Sequence, residues 1–265
     1  FLFHALGAAA PAYAHLPMIV NASGKPYSKR DGDAFVGDFR EKGYLPEALF
    51  NYLTLLGWNP GDEREKLSRE ELVQAFSLER VLQSSAQMDA AKLLNLNGQY
   101  MAALPFDAFL EGVRAAISRL PWAATADAVR LEAVARLMQS RTKLYTDVAA
   151  WEYFFVDSPS YDEKAVGKFL RKPGVSEALS ALAAALEPAD ALVSPAAVEA
   201  AIAAVATAGG FEPGRLNQPI RVAVTGCTIG AGVYETLAVL GRETVRRRLI
   251  AAADLARGGA VGASA

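Results

Sequence analysis

The second half of the chain is constrained most by its apolar spacing. Beyond Tyr100, apolar residues recur at intervals of three and four positions, which is typical of amphipathic helices that bury one stripe of side chains. Ala and Leu, which lose little on entering a helix, are used heavily, and strand-favouring residues are sparse. The sequence therefore predicts a mainly α fold. We expect the helices to be interrupted at the prolines of this region, namely Pro105, Pro121, Pro159, Pro173, Pro188, Pro195, Pro213 and Pro219.

Length and composition limit the classes of protein. At 265 residues the chain is long enough for a sizeable core and for more than one domain. Lys and Arg number 27 against 29 Asp and Glu, so the net charge of −2 gives no support to a nucleic-acid partner, which must rest on local clusters. Cys227 stands alone, which excludes an internal disulfide and a thiolate zinc cluster and suits the reducing cytoplasm.

The first residues do not have the pattern of a signal peptide. They lack its positive first segment, and no apolar run anywhere reaches the ~20 residues of a membrane span. The chain opens on Phe1 rather than Met, in an apolar helical pattern. We expect a piece of a longer chain, in the cytoplasm and not in a membrane.

Local patterns in the first half predict a strand, a loop and several helices. Residues 14–20 are interpreted as a short buried strand, residues 21–24 as a polar turn and residues 25–33 as a basic loop. A helix is expected through residues 44–53, with Pro46 in its first turn, where no N–H partner is lost.

Capping residues predict two further helices. Ser68 and Glu71 have capping-box spacing. Asp89 suits the N-cap of a helix over residues 90–96, which Asn97-Gly98 is expected to end. The Ala-rich residues 178–208 are too uniform to predict boundaries.

The hexamer Tyr27–Gly32 is the most informative segment for chemistry. A loop after a strand that holds Ser28, Lys29 and Arg30 is suited to binding phosphates, since Lys supplies a mobile charge and Arg a forked set of donors. In isolation such a segment is also typical of a solvated basic turn. The surrounding motifs favour the first interpretation.

Those motifs follow one order along nearly the whole chain. They include His15-Leu16-Pro17-Met18-Ile19, Ser28-Lys29-Arg30, Tyr44-Leu45-Pro46-Glu47-Ala48, Asn51-Tyr52-Leu53, Leu56-Gly57-Trp58, Phe76-Ser77-Leu78-Glu79-Arg80, Leu96-Asn97-Gly98, Arg221-Val222-Ala223-Val224-Thr225-Gly226, Tyr234-Glu235 and Leu240-Gly241. In this order they resemble the later part of the glutamyl-tRNA synthetases, a class I aminoacyl-tRNA synthetase family.

The resemblance implies a fold and a division into segments. Residues 1–35 would be the end of a Rossmann-type catalytic domain with its signature lysine loop, and residues 36–100 a helical stem-contact region. An α-helical-bundle anticodon-binding domain would follow in two sub-bundles, residues 101–175 and 176–257. Residues 258–265 are expected to be a disordered tail.

The resemblance also implies an activity. The family activates glutamate with ATP to an adenylate and transfers it to the 3′ end of tRNA(Glu). Lys29 would be the catalytic lysine of the signature loop, and Ser28, Lys29 and Arg30 would bind ATP. ATP would arrive with Mg²⁺ as a substrate, and no protein-bound metal is expected. We expect a monomer, with tRNA(Glu), ATP and glutamate as partners of the full-length enzyme.

Some positions depart from the family pattern. Pro26 stands where the family has the first lysine of its loop, and Tyr27 replaces an aliphatic residue. Asn95 occupies the place of a common Trp, and Ala231 that of a common Pro. The family's upstream histidine motif is missing: the only histidines are His4 and His15, and His15 is expected to be a packed or capped side chain. The chain alone is therefore predicted to be inactive.

Clusters of basic residues are candidates for contact with tRNA phosphates. Solvated helix faces often carry such charges, so each cluster alone is ambiguous. Lys164, Lys168 and either Arg171 or Lys172 recur at helical spacing and are expected to share a face. Besides the basic loop, the clusters are Arg141 and Lys143; Lys164, Lys168, Arg171 and Lys172; and Arg242, Arg246, Arg247 and Arg248.

Two further segments have competing interpretations. The aromatic run from Trp151 to Phe155 offers stacking surfaces for bases but is more typical of a core. Residues 222–232 imitate the glycine-rich turn of a dinucleotide site, yet the strands and acidic residue of such a domain do not follow. Thr225-Gly226 is instead expected to cap the entry into the last helical segment.

Two alternatives remain open. The chain could be a non-catalytic tRNA-binding module, or a helical scaffold without preference for tRNA. The helical end argues against a glutaminyl enzyme, whose anticodon region is a β-barrel, and against a shortened tRNA-modifying paralogue. The sequence does not say whether the parent enzyme also charges tRNA(Gln), or which residues read the anticodon.

Overall fold

A computed structural model describes residues 1–32, 34–188, 194–212 and 214–258. The chain divides into two compact units. Unit 1 comprises Phe1–Leu104 and Thr142–Thr146, and unit 2 comprises Pro105–Arg141 and Asp147–Ala265. The expected five segments are a finer division, and their roles stay predictions. The expected tail lies outside the described residues except for Gly258.

Unit 1 consists of short helices and one pair of strands. They are α1 (Leu2–Ala5), β1 (Ile19–Val20), α2 (Val36–Glu41), α3 (Pro46–Leu55), α4 (Arg69–Ala75), a 3₁₀ turn (Leu78–Arg80), β2 (Ala86–Gln87) and α5 (Ala90–Ala103). The two strands pair in parallel, Ile19 with Ala86 and Val20 with Gln87. The strand predicted for residues 14–20 is therefore only two residues long, and the Rossmann-type character of this region stays a prediction.

The predicted helix starts in unit 1 are confirmed. Pro46 opens α3 at its first turn. The Ser68 hydroxyl accepts a hydrogen bond from the Glu71 N–H while the Glu71 carboxylate accepts one from the Ser68 N–H, which completes the capping box of α4. Asp89 caps α5 by accepting from the Lys92 N–H.

The predicted end of α5 at Asn97-Gly98 is wrong. The helix continues through both residues to Ala103. The fully buried Asn97 side chain accepts from the Leu45 N–H at 2.9 Å and donates to the Lys143 carbonyl. A Cβ on Gly98 would lie 3.1 Å from Cγ of Lys143. The pair therefore permits close tertiary contact rather than ending the helix.

Unit 2 consists of helices joined by loops, with no strand among the residues that the structure describes there. Its elements are α6 (Phe106–Ile117), a 3₁₀ helix (Pro121–Thr125), α7 (Ala128–Met138), 3₁₀ segments (Gln139–Arg141 and, reaching across the division of the units, Tyr145–Phe154), α8 (Glu163–Ala165), a π-helical turn (Val166–Leu170), α9 (Val175–Ala185), α10 (Pro195–Ala208), α11 (Asn217–Thr225), α12 (Val233–Leu240) and α13 (Arg242–Ala256). The mainly α fold expected from the sequence is confirmed.

The core of unit 2 is centred on α9 and α13. Leu179 and Leu249 are completely buried, and the buried Ser176 hydroxyl donates to the Ala253 carbonyl at 2.9 Å. The aromatic run also belongs to this interior, since Trp151 is 1% and Phe154 0% exposed. The structure therefore favours the core interpretation of that run over base stacking.

Residues 222–232 do not form a nucleotide turn. Val222 to Thr225 belong to α11, and Gly226 ends this helix in the left-handed conformation (φ +74°). The expectation that Thr225-Gly226 caps the entry into the last helical segment is wrong, because the pair ends α11 and α12 begins only at Val233.

Candidate functional site

The basic loop is built on a hairpin that continues from β1. The Asn21 N–H donates to the Lys25 carbonyl at 2.8 Å, and the Tyr27 N–H donates to the Ile19 carbonyl at 2.9 Å. Pro26 lies between these two donors, at a position where the hairpin uses no N–H. The departure at Pro26 is therefore compatible with the backbone of the loop.

A single carboxylate organises the tip of the loop. Asp31 accepts hydrogen bonds from the Ser28 N–H at 2.9 Å, the Ser28 hydroxyl at 2.8 Å and the Asn21 side-chain amide at 2.6 Å. These hydrogen bonds, first that of Asn21 and then those of Ser28, lower the pKa of Asp31 although the side chain is exposed. Asp31 was not among the predicted site residues, and its place in Ser28-Lys29-Arg30-Asp31 was the only signal for it.

The bracing leaves the two cations at the tip of the loop, Lys29 and Arg30, turned to solvent. Lys29 and Arg30 are exposed, and within the described ranges of the chain no carboxylate pairs with either. The Ser28 hydroxyl is bonded to Asp31 and therefore helps to fix the shape of the loop. The same hydroxyl oxygen accepts a long hydrogen bond from the Arg30 N–H at 3.4 Å. A loop of this form offers a mobile ammonium and a guanidinium to an anionic ligand.

The predicted basic clusters are only partly brought together. Arg141 and Lys143 fall in different units. The Lys143 ammonium donates to the Asn95 side-chain oxygen at 2.6 Å. Asn95, which stands in the place of a common Trp in the family pattern, thus has a structural partner.

The cluster from Lys164 to Lys172 does not share one face. Its middle is the π-helical turn, whose wider winding breaks the expected spacing of three and four. Arg171 is paired with Glu163 at 2.5 Å. Lys168 and Lys172 line one groove, and Lys164 does not line it.

The last cluster is mostly engaged within unit 2. Arg242 and Arg246 bind Glu187, and Arg247 binds Asp157. Arg248 is 1% exposed and donates to the carbonyls of residues 156, 157 and 224. Its inclusion among surface cations was wrong, because a guanidinium can enter a core when carbonyl oxygens satisfy its donors.

Arg221 is a candidate that sequence reasoning missed. Its side chain is half-buried on α11 and donates a hydrogen bond to the Ala231 carbonyl. It also lies near Tyr153, since a Cβ on Gly230 would be 3.3 Å from the Arg221 guanidinium and 3.5 Å from the Tyr153 hydroxyl. Burial, and to a smaller degree the like charge of Arg141, lower the pKa of Arg221. Two arginines that repel one another favour an anion between them. A single Arg inside the apolar run 219–224 was the available signal.

No metal centre is formed by the described side chains, among which no three His, Cys, Asp or Glu residues meet as ligands. His15, expected to be packed or capped, is exposed instead. None of the described helices is both long enough and apolar enough to cross a membrane.

Comparisons with known proteins assign the two parts of the chain to families. The family described as "Anticodon binding domain" matches residues 103–253, and the family "tRNA synthetases class I (E and Q), catalytic domain" matches residues 1–95. A glutamate–tRNA ligase of Thermobifida fusca (strain YX) is 42% identical over 260 residues, covering 96% of this chain and 54% of the relative. This chain belongs to the glutamate–tRNA ligase family.

Other members of the glutamate–tRNA ligase family give the same result. The enzyme of Desulforudis audaxviator (strain MP104C) is 38% identical over 94% of this chain and 51% of its own length. A crystal structure of a glutamate–tRNA ligase from Elizabethkingia meningosepticum in complex with its amino acid has 28% identity and a TM-score of 0.80, over 96% of this chain and 53% of that chain. The chain spans about half the length of the relatives it matches.

The helical end also fits this family rather than the glutaminyl enzymes. Between residues 105 and 258, the part of unit 2 that the structure describes contains helices and no strand. The described residues of unit 2 therefore do not form a β-barrel anticodon region.

Proposed function

We propose that the chain supplies the signature loop and the tRNA-binding arm of a cytoplasmic glutamate–tRNA ligase. The complete enzyme would activate glutamate with ATP, brought as its Mg²⁺ complex, and transfer it to the 3′ end of tRNA(Glu). The observation that carries this proposal is the loop in which Asp31 braces Ser28 and leaves Lys29 and Arg30 exposed, within the region that matches a class I catalytic domain.

Lys29 is the proposed catalytic residue. A cation placed where negative charge develops on the transferring phosphates is commonly worth on the order of a hundredfold or more in rate. Arg30 would add forked hydrogen bonds to the same phosphates. Ser28 would act as a positioning residue, since its hydroxyl and N–H both bind Asp31.

Exposed cations in each unit are candidates for contact with the tRNA. Arg141, Lys143, Lys164, Lys168, Lys172 and Arg247 are exposed and are proposed phosphate contacts. Arg171 and the partly buried Arg246 remain candidates although each is paired with a glutamate, because ion pairs that solvent reaches are weak. Arg221 joins them as the candidate added by the structure.

A chimera tests the catalytic role. The part of the Thermobifida fusca ligase that this chain matches is replaced by this chain, and glutamylation of tRNA(Glu) is measured. Lys29→Ala is expected to lower kcat by about a hundredfold or more, whereas Lys25→Ala, in the same loop, changes it little. Equal activity of Lys29→Ala and the unaltered chimera would remove the proposed role of the loop.

The alternative of a non-catalytic tRNA-binding module makes a different prediction. Both hypotheses expect the 265-residue chain alone to show no ATP–pyrophosphate exchange, because the sequence holds no histidine motif for ATP. Only the ligase hypothesis expects an active chimera whose activity depends on Lys29. A chimera that folds, binds tRNA and remains inactive would favour the module.

A further inference from the structure

A groove on unit 2 combines basic and aromatic side chains. It has a volume of about 600 Å³ and lies where the π-helical turn, the segment leading into α9 and the beginning of α11 meet. Its main lining side chains are Lys168, Phe169, Lys172, Phe211, Arg215 and Pro219. This volume is within the range of sites that hold a small ligand or one nucleotide.

The charges of the groove are of one sign. Three cations line it, and no acidic residue of the described chain does so. The cation between the two lysines in the sequence, Arg171, is engaged elsewhere, since it pairs with Glu163. Lys168, Lys172 and Arg215 have no such partner among the described residues, so a bound anion would not displace an existing ion pair.

The end of the π-helical turn explains how the two lysines reach the groove. The turn closes with a hydrogen bond from the Arg171 N–H to the Val166 carbonyl at 3.1 Å. The Lys172 carbonyl then accepts from the Val175 N–H at 3.1 Å as the chain enters α9. This change of direction leaves Lys168 and Lys172 on the groove and turns Arg171 towards Glu163.

Two aromatic rings form the apolar part. Phe169 is half-buried, and the ammonium of Lys168 lies 5.1 Å from the centre of its ring. The ring of Phe211 packs closely against Gly174 and Gly209, because a Cβ on these glycines would lie only 3.1 and 3.0 Å from it. Aromatic faces beside unpaired cations match a nucleotide, which carries a planar base and a phosphate.

We propose that this groove binds one unpaired nucleotide of the tRNA, with its phosphate held by Lys168, Lys172 and Arg215 and its base against the ring of Phe169 or Phe211. The inference rests on the proposed function, because it assigns a place on unit 2 to single-stranded RNA. Bases in a tRNA loop are unstacked more easily than those in a duplex, so an unpaired nucleotide suits an aromatic pocket.

Binding of a fluorescently labelled tRNA(Glu) transcript by the whole chain tests the groove. The double variant Lys168→Glu/Lys172→Glu is expected to bind at least about tenfold more weakly and to lower the slope of log K against log salt by about one for each lost phosphate contact. The control Arg114→Glu/Arg119→Glu makes the same change in charge on exposed side chains of unit 2 that do not line the groove. It is expected to retain binding within about threefold.

A second variant separates stacking from charge. Phe169→Leu keeps an apolar side chain and removes the ring, and is expected to weaken binding about fivefold or more without changing the salt slope. Equal binding by the groove double variant and its control would overturn the inference while leaving the proposed function intact. Equal loss of binding to the tRNA and to a blunt RNA duplex would also overturn it, because the groove would then read only the phosphate backbone. Failure of the unaltered chain to bind tRNA would instead count against the proposed function.

Discussion

At the scale of the residue, Asp31 controls the shape of the basic loop. It joins Asn21, before the turn, to Ser28, after it, through three hydrogen bonds. These bonds to the charged carboxylate lower its pKa, so the brace is present at neutral pH. Lys29, two residues before Asp31, is exposed and pairs with no carboxylate among the described residues.

Removing this brace is expected to impair the chimeric ligase. Asp31→Ala leaves Lys29 in place but frees the loop, and we expect a loss of glutamylation rate of about tenfold to a hundredfold, since catalysis depends on position. Asp62→Ala is the control, because Asp62 is also an exposed, hydrogen-bonded carboxylate but binds Arg64 instead. A loss no larger than that of the control would show that the loop needs no brace.

A second residue-scale prediction concerns Arg248. Its guanidinium satisfies the carbonyls of Val156, Asp157 and Val224, and desolvation on burial lowers its pKa to about 10. Arg248→Met leaves these carbonyls without donors and is expected to lower the free energy of unfolding by about 3 kcal/mol or more. Arg247→Met, with a half-exposed side chain, is expected to cost at most about 1 kcal/mol. Urea unfolding measures both, and similar values would contradict the structural role of Arg248.

At the scale of the element, the end of α11 depends on one glycine. Gly226 has φ +74°, and a Cβ there would lie only 1.9 Å from the Ser160 carbonyl oxygen. Gly210, with φ +68°, has nothing within 4 Å of the same position. The two glycines therefore share a left-handed backbone but differ in the space around it.

This difference gives a matched pair of variants. Gly210→Ala is expected to destabilise the protein by about 1 kcal/mol through backbone strain alone. Gly226→Ala adds a clash with backbone and is expected to cost at least about 2 kcal/mol more. Thermal or urea unfolding compares them, and equal losses would mean that the close approach of residue 160 is not rigid.

The elements also show what local sequence can and cannot predict. Pro46, Ser68 and Asp89 set helix starts through bonds within one turn, so the sequence predicted them. Asn97-Gly98 was misinterpreted because its partners, Leu45 and Lys143, are distant in the chain. In the same way, the loop cations were predicted from neighbouring residues, whereas the groove of Lys168 and Arg215 depends on packing between separate helices.

At the scale of the whole molecule, buried phenols link stability to pH. Burial raises the pKa values of Tyr153 and Tyr161 to about 12, because the folded protein favours their neutral forms. The unfolded chain releases these protons near the ordinary value of 10.0. Their contribution to stability is therefore fully present below pH 10 and is lost as the pH rises towards 12.

Unfolding in urea at several alkaline pH values tests this linkage. The free energy of unfolding is expected to fall by roughly 2 to 5 kcal/mol between about pH 10 and 12. Tyr161→Phe removes the hydrogen bond to the Ala223 carbonyl, so its free energy of unfolding below pH 9 should be lower by about 1 kcal/mol. Its free energy of unfolding should then decline less steeply at alkaline pH than that of the unaltered protein. Parallel declines of both proteins would contradict the assignment.

The proposed role of this chain as the tRNA-binding arm of a glutamate–tRNA ligase can be tested by binding experiments. The most direct measurement is the affinity of the purified chain for tRNA(Glu) and for an unrelated tRNA across a series of salt concentrations. We expect tighter binding of tRNA(Glu), with an affinity that falls steeply with salt because basic side chains contact phosphates. Binding to neither tRNA, or weak and equal binding to both at every salt concentration, would contradict it.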